Sequence, residues 1–323
     1  MSAPPQAAPL ISADGAWVAP SGRAEWFAGA GGLRLRAALF PAEHPVGSVV
    51  LSGGRTEFIE KYLEVIGELV VRGFTVLTHD WRGQGLSQRL VGDRLKGCAD
   101  GFDDFISDHG ALLTTFEDRL PRPWIAVSHS MGACLTLTAI AQGETRFSAA
   151  VLSAPMLGLK VGRSPLAALL AKVMTGLGFG RRYLGWPPPH PLAADFEANR
   201  LTHDSERYAR CQALLRACPD LALGGVTWGW LNSAFDAIAW LRRAPALEHL
   251  KAPITLVAAE CDTLVDNAAV EAIARRLPNG RYRLVPGARH ELMMETDEIR
   301  GVFLEEFDML AGTLAPQSGE RAG

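Results

Sequence analysis

The run WIAVSHSMGACLTLTAI, from Trp124 to Ile140, passes from a strand-like apolar stretch to a helix-like one with no connecting loop. At the junction stands Ser128-His129-Ser130-Met131-Gly132, of the form S-x-S-x-G. A serine on an abrupt strand-to-helix turn projects its hydroxyl at the start of the following helix. There, free N–H groups and the helix dipole favour a developing negative charge. Such a turn is tight and demands small neighbours; Ser128 stands at the first position, where glycine is usual. The chemistry this arrangement would serve is acyl transfer by a serine nucleophile. The other reading is a serine that only caps the helix. The pentapeptide alone leaves both open.

A nucleophilic serine needs a base and a group that orients the base. For an elbow of this type the chain order is serine, acid, histidine, with acid and base on loops that follow later strands. Asp262 directly follows the apolar run ITLVAAEC, and His290 follows YRLVPGAR, so these two are the expected partners of Ser130. Asp266 is the rival acid, expected instead to shape the loop or cap the helix that begins near Asn267. Among the other histidines, His129 adjoins the serine, and its ring must point elsewhere. His44, His79 and His109 precede the serine, His190 and His203 fall in a non-periodic interval, and His249 lies near a helix end. An oxyanion site needs two N–H donors. Met131, next to the serine, is expected to give one and Arg55, in GGRTEF, the other. The pair Gly53-Gly54 either lets the backbone approach substrate closely or forms a plain flexible turn. Arg82, between the glycines of HDWRGQGLS, reads as an anchor for nearby carbonyls rather than a catalytic group.

The elements that must position these residues are legible as short apolar runs. LRLRAALF, GSVVLSG, FTVLTHD, WIAVSHS, AAVLSAP, ITLVAAE and YRLVPGA read as strands, with helix-period segments at Ile59–Arg72, Phe102–Glu117 and Asn267–Leu277. Strands alternating with helices imply an α/β fold with a mostly parallel central sheet flanked by helices. The alternation fails between about Pro155 and Leu250, an interval too long for one crossover helix. We read there an inserted helical cap over residues 156–233, dividing a core of residues 23–155 and 234–312. The cap includes the stiff WPPPH, and Phe235–Leu250 reads as a core helix leading back into the sheet. Residues 1–22 read as a flexible N-terminal arm without a signal peptide, and 313–323 as a flexible tail.

Bulk composition removes several function classes. Lys and Arg (32) do not exceed Asp and Glu (35), and the formal net charge of −3 gives no electrostatic footprint for nucleic acid. The five cysteines are odd in number and form no C-x-x-C pair, which argues against a disulfide framework and a thiolate metal site. A reducing compartment, the cytoplasm, fits them best, and no transmembrane stretch is expected. No H-E-x-x-H, P-loop or G-x-G-x-x-G stands in a suitable context. Neither a metal nor a cofactor is expected. Oligomeric state is not legible.

Taken together, SGGRTEFIEKY, DWRGQGLS, SHSMGA, AECDTLVDN and GARHEL, in that order, resemble the α/β-hydrolase superfamily. The resemblance is strongest to its serine-hydrolase branch of bacterial lysophospholipases and monoacylglycerol lipases, and it spans roughly Leu33–Leu310. It implies an α/β-hydrolase fold and an acyl-enzyme mechanism. Ser130 would attack an ester carbonyl, His290 would carry the proton, Asp262 would fix the imidazole tautomer, and the Met131 and Arg55 N–H groups would hold the oxyanion. The branch often carries His-Gly-x-Gly-Glu at the oxyanion turn. Here Gly53 takes the histidine position, Thr56 replaces the second glycine and Glu57 is retained.

The cap is apolar around Pro165–Gly180 and carries Trp228 and Trp230, which with Gly53 and Gly54 are the candidate substrate contacts. An apolar lid suits an acyl chain, although most such residues must simply pack the cap onto the core. It could also touch a membrane surface, at the inner face, where mono-acyl lipids reside. The reading is therefore an ester hydrolase acting on a small-molecule acyl ester, either lysophospholipid or monoacylglycerol. A small-ester esterase, a thioesterase, a serine aminopeptidase or a non-catalytic binding protein on the same scaffold are the alternatives.

Overall fold

The computed structural model describes residues 6–15, 17–163, 165–185, 191–193 and 195–314. The expected WPPPH segment, 186–190, and most of the expected tail, from residue 315, lie outside them. Nine strands form one sheet: β1 (Gln6–Ala8), β2 (Arg23–Ala28), β3 (Arg34–Phe40), β4 (Gly47–Ser52), β5 (Phe74–His79), β6 (Trp124–His129), β7 (Phe147–Ser153), β8 (Ile254–Ala259) and β9 (Gly280–Val285). Their order is β1-β2-β3-β5-β4-β6-β7-β8-β9. The strands from β5 to β9 in that order run parallel, and β1, β2 and β3 add antiparallel at one edge. The central strands β4, β6 and β8 are buried at every residue, which is why they read as unbroken apolar runs rather than alternating ones.

The pleat divides each strand between two cores. Val50, Ala126 and Leu256 face one core, which they share with α2 (Asp103–Phe116), α3 (Ser130–Ala141), α6 (Trp228–Arg243) and α7 (Asn267–Ala274). Their neighbours Val49, Val127 and Val257 face the other, with α1 (Leu63–Val71) and α8 (Asp297–Gly312). Helix α3 is buried from Met131 to Ile140, and it is apolar on all sides because it is enclosed on all sides. The sheet edges are blunted. β1 is only three residues long, and β9 carries Arg281 and Arg283, both paired to Glu306 of α8.

Between β7 and β8 lie α4 (Pro165–Met174) and α5 (Ser205–Ala217), and then α6 leads back to the sheet. Two expectations are corrected here. The N-terminal segment expected as a free arm pairs as β1, and its Leu10 and Trp17 pack on the second core. Arg36, fully buried with Glu60 and Asp80, also donates to the Pro9 carbonyl, which ties that segment down. The boundary expected at 233/234 falls inside one continuous helix. Thr227 caps α6 by accepting from the Trp230 N–H at 3.3 Å, so the aromatic cluster is the first turn of the helix that carries Phe235. Among the described residues, no helix is long and apolar enough to cross a membrane.

His109 of α2 is 1% exposed, stacks on Phe147 with ring centroids 5.9 Å apart, and its Nε2 has no hydrogen-bond partner among the described residues. Burial pushes its pKa down to about 4, with Glu144 raising it slightly and Arg146 opposing. The folded state thus binds the proton less readily than the unfolded chain, whose value is about 6.5. Stability from this group is complete above about pH 6.5 and is lost as pH falls towards 4, by about 2–3 kcal/mol. In urea unfolding from pH 7.5 to 4, His109→Phe is expected to flatten that part of the slope.

Candidate active site

β6 ends at His129 in extended conformation and α3 begins at the next residue, with no loop between. Ser130 makes the turn with φ of 49°, a left-handed value that a non-glycine residue holds only under constraint. Gly132 shows what supplies the constraint. A Cβ at that position would lie 2.3 Å from the Gly53 carbonyl oxygen and 2.5 Å from that of Ser52. The helix therefore sits directly on the end of β4. Ser128, in the usual glycine position, is accommodated because its Oγ is hydrogen-bonded to the Thr136 hydroxyl at 2.9 Å.

The structure brings Ser130, His290 and Asp262 together. His290 Nε2 lies 3.0 Å from Ser130 Oγ, and its Nδ1 lies 2.6 Å from Asp262 Oδ2. Asp262 stands in the turn just beyond β8 and His290 in the loop beyond β9. The other Asp262 oxygen accepts the N–H groups of Leu264 (2.7 Å) and Val265 (2.9 Å), and Lys160 donates to its carbonyl. Burial alone would raise the Asp262 carboxyl, but the His290 hydrogen bond and charge and the two backbone donors hold it below its ordinary value. Asp266 instead caps α7, accepting from the Ala268 N–H at 3.3 Å. His203 pairs with Glu295, and His129 lies with its ring 4.8 Å from that of His290.

The turn after β4 comes close to the serine: a Cβ at Gly54 would lie 3.2 Å from Ser130 Cβ. Thr56, where the resemblance would put glycine, takes φ of 68°. Glu57 holds this turn. Its carboxylate accepts from the Gly54 N–H, the Tyr62 hydroxyl, Lys61 at 2.9 Å and His129 Nδ1 at 3.0 Å. Burial would raise the Glu57 carboxyl, but His129 and Lys61 pull it well below the carboxylate range. Burial likewise pushes the His129 imidazole down, and Glu57 outweighs it and holds it above its ordinary value. With Gly54 N–H given to Glu57 and Thr56 N–H to Gln84, the Arg55 N–H has no acceptor among the described residues. The Met131 N–H belongs to the first turn of α3, where no intrahelical acceptor exists. One N–H of this turn and one of α3 are thus left without an acceptor among the described residues.

These groups open on a cavity of about 390 Å³ whose wall is mainly apolar, including Met156, Leu159, Leu184, Val226 and Trp230. Arg55 and Ser130 line it as well. Gly53 and Gly54 are buried behind the wall, and Trp228, half-buried at the start of α6, is not among the lining residues. Arg82 reaches carboxylates rather than mainly carbonyls, bonding Asp108 at 2.6 and 2.8 Å and Asp104 at 2.5 Å. The Lys61 bridge to Glu57 and Glu291 was not expected from the sequence, although TEFIEK and RHEL carry its three residues. The arrangement suits acyl transfer: a hydroxyl against an imidazole, an imidazole against a buried carboxylate, and unengaged N–H groups beside the hydroxyl.

The family described as "Serine aminopeptidase, S33" matches residues 43–297. A probable lysophospholipase L2 of Haemophilus influenzae is 30% identical over 255 residues, covering 78% of this chain and 79% of the relative. Lysophospholipase L2 of Escherichia coli is 29% identical, covering 86% of this chain and 84% of the relative. Among solved structures, a soluble variant of monoglyceride lipase from Saccharomyces cerevisiae with a substrate analogue superposes with a TM-score of 0.68 at 19% identity. It covers 91% of this chain and 96% of its own, a likeness of fold.

The contact at Gly132 is directly testable. Gly132→Ala forces a methyl group onto the Gly53 carbonyl, and we expect it to cost about 2–3 kcal/mol in thermal unfolding. We also expect it to slow labelling of Ser130 by a fluorophosphonate.

Proposed function

The chain belongs to the serine aminopeptidase, S33, family, and on that premise we propose that it is a serine carboxylic-ester hydrolase acting on mono-acyl lipids. The observation that carries this reading is the hydrogen-bonded chain from Ser130 through His290 to Asp262. The names of its lysophospholipase relatives support it, as does the apolar wall of the cavity. Ser130 Oγ attacks the ester carbonyl while His290 Nε2 takes its proton. The oxyanion is held by the Met131 and Arg55 N–H groups, and His290 returns the proton to the leaving alcohol. Water, deprotonated by His290, then attacks the acyl carbonyl, and collapse returns the proton to Ser130 and releases the fatty acid. Asp262 holds Nδ1–H and stabilises the imidazolium formed in each half-reaction. An aminopeptidase would need a carboxylate to hold the substrate amine. The carboxylates on the cavity wall, Glu57 and Glu291, are both paired to Lys61, so the ester reading is favoured.

The segment between β7 and β8 acts in this proposal as a cap that receives the acyl chain and meets the lipid surface. In α4 and the turn after it, Leu166, Leu169, Leu170, Val173 and Leu177 are all exposed at helical spacing. Val161, also exposed, is on the cavity wall. Such an exposed apolar face, a few residues along the chain from the cavity-lining Val161, supports contact with a micelle or bilayer.

Two measurements test the proposal. Fatty-acid release from a lysophospholipid and from a monoacylglycerol of equal chain length is expected to fall by about 10⁵–10⁶-fold in kcat for Ser130→Ala and by about 10⁴-fold for Asp262→Asn. Retention of half the activity in Ser130→Ala would refute the assignment. Leu169→Asp with Leu170→Asp is expected to lower hydrolysis of vesicle-bound substrate several-fold while sparing a soluble short-chain aryl ester. Equal loss on both would remove the surface role of α4.

A further inference from the structure

The buried arginines on the structural side of the molecule are paired. Arg36 meets Glu60 and Asp80, Arg82 meets Asp104 and Asp108, Arg207 meets Glu64, Asp204 and Asp297, and Arg300 meets Glu64 and Glu68. Arg89, which lacks a carboxylate, is held by three backbone carbonyls. Arg55 differs. It has no ion pair among the described residues, and its one hydrogen bond runs from Nη2 to the Gly224 carbonyl. Its guanidinium lies in a slot, with Gly97 so close that a Cβ there would be 2.4 Å from Nη2. The Trp230 ring centre is 5.3 Å away on the indole side. Gly97 is what leaves room for the group.

Two buried donors in this slot have no acceptor among the described residues: Arg55 Nε and Trp230 Nε1. Arg55 Nη1 also makes no hydrogen bond among the described residues, and unlike Nε it is not fully shielded. Both residues line the Ser130 cavity. Burial pushes the Arg55 pKa down only to about 10, so the side chain is a cation at neutral pH. A half-buried cation on the cavity wall with no carboxylate beside it is costly to maintain and is the complement of an oxoanion. Arg55 also carries the backbone N–H proposed for the oxyanion site, so its side chain leaves the same turn and lines the same cavity as Ser130.

We propose that Arg55 and Trp230 form an oxoanion subsite of the Ser130 cavity that takes the phosphodiester of a lysophospholipid and so selects phosphate-bearing mono-acyl esters over neutral ones. This rests on the ester-hydrolase reading above. A monoacylglycerol would leave the Arg55 cation unpaired, and it is that penalty which discriminates.

The test compares kcat/KM for a lysophospholipid and a monoacylglycerol of the same acyl chain in the same mixed micelles. The proteins are the full-length wild type, Arg55→Met and Arg55→Lys. The lysophospholipid-to-monoacylglycerol ratio is expected to fall by about 10-fold or more in Arg55→Met, mainly through KM, and to recover in part in Arg55→Lys. An unchanged ratio overturns the subsite. Binding is then read without turnover, by tryptophan fluorescence and calorimetry on the Ser130→Ala protein with dodecyl phosphate and, as neutral control, dodecyl glycerol ether. Dodecyl phosphate is expected to bind about 10-fold more weakly when Arg55→Met or Trp230→Phe is added, while the ether changes little. Trp230→Phe keeps an aromatic side chain but removes the indole N–H and the larger ring beside the guanidinium, so it reports on the subsite even where Arg55→Met fails to fold. Equal dodecyl phosphate binding in all backgrounds refutes the proposal. Arg55-dependent binding in a protein that hydrolyses neither lipid would sink the hydrolase reading and leave the oxoanion subsite standing.

Discussion

The site depends on the contact between the backbone of Gly132 and the carbonyls at the end of β4. The first turn of α3 can rest on Ser52 and Gly53 only because residue 132 has no side chain. That contact places the strained Ser130 against the turn that carries Arg55. Trp81 braces the same Gly53 carbonyl with a 2.8 Å hydrogen bond, and Met156 donates to the Ser130 carbonyl at 3.0 Å. The left-handed conformations at Ser130 and Thr56 are held from both sides by the core rather than favoured locally. Where glycine would have relaxed the turn, Thr56 stands fixed, with its N–H on Gln84 and its hydroxyl on the Arg55 carbonyl.

Electrostatics completes what packing begins. Glu57 collects four donors under the turn, and Lys61 carries that charge across to Glu291, the residue after His290. The loop bearing Arg55 and the loop bearing His290 are thus joined by one buried ammonium. Burying so many charges contributes little net stability; such clusters specify geometry. Here the geometry concerned is the distance between two loops that are far apart in the chain.

Much of this was legible in the sequence. The central strands are buried on both faces and so appear as continuous apolar runs; Ser130 and Asp262 follow two of them, while His290 follows the exposed edge strand β9. The three side chains lie in one hydrogen-bonded line because parallel strands deliver their C-terminal ends to one side of a sheet. Other features were hidden. β1 and β2 read as QAA and RAEWFA, too short or too polar to announce a strand, and only pairing with β3 defines them. The α6 boundary was obscured by Gly229, which looks like a breaker but fits because a Cβ there would lie 2.6 Å from the Ala99 carbonyl. The isolation of the Arg55 guanidinium depends on Gly97, Gly224 and Trp230 meeting in space, and no local pattern records such a meeting.

The continuity of α6 has a mechanical consequence. Its first turn touches the cavity through Trp230, while its later turns, at Ile238 and Leu241, are embedded in the core beneath α3. A single rod anchored in this way cannot serve as a hinge. Rearrangement of the segment between β7 and β8 must be taken up by the chain on the near side of Thr227, leaving Trp230 as a fixed post. Ligands of different length would therefore be fitted by the stretches around Val161 and Leu184, against a post whose position does not change.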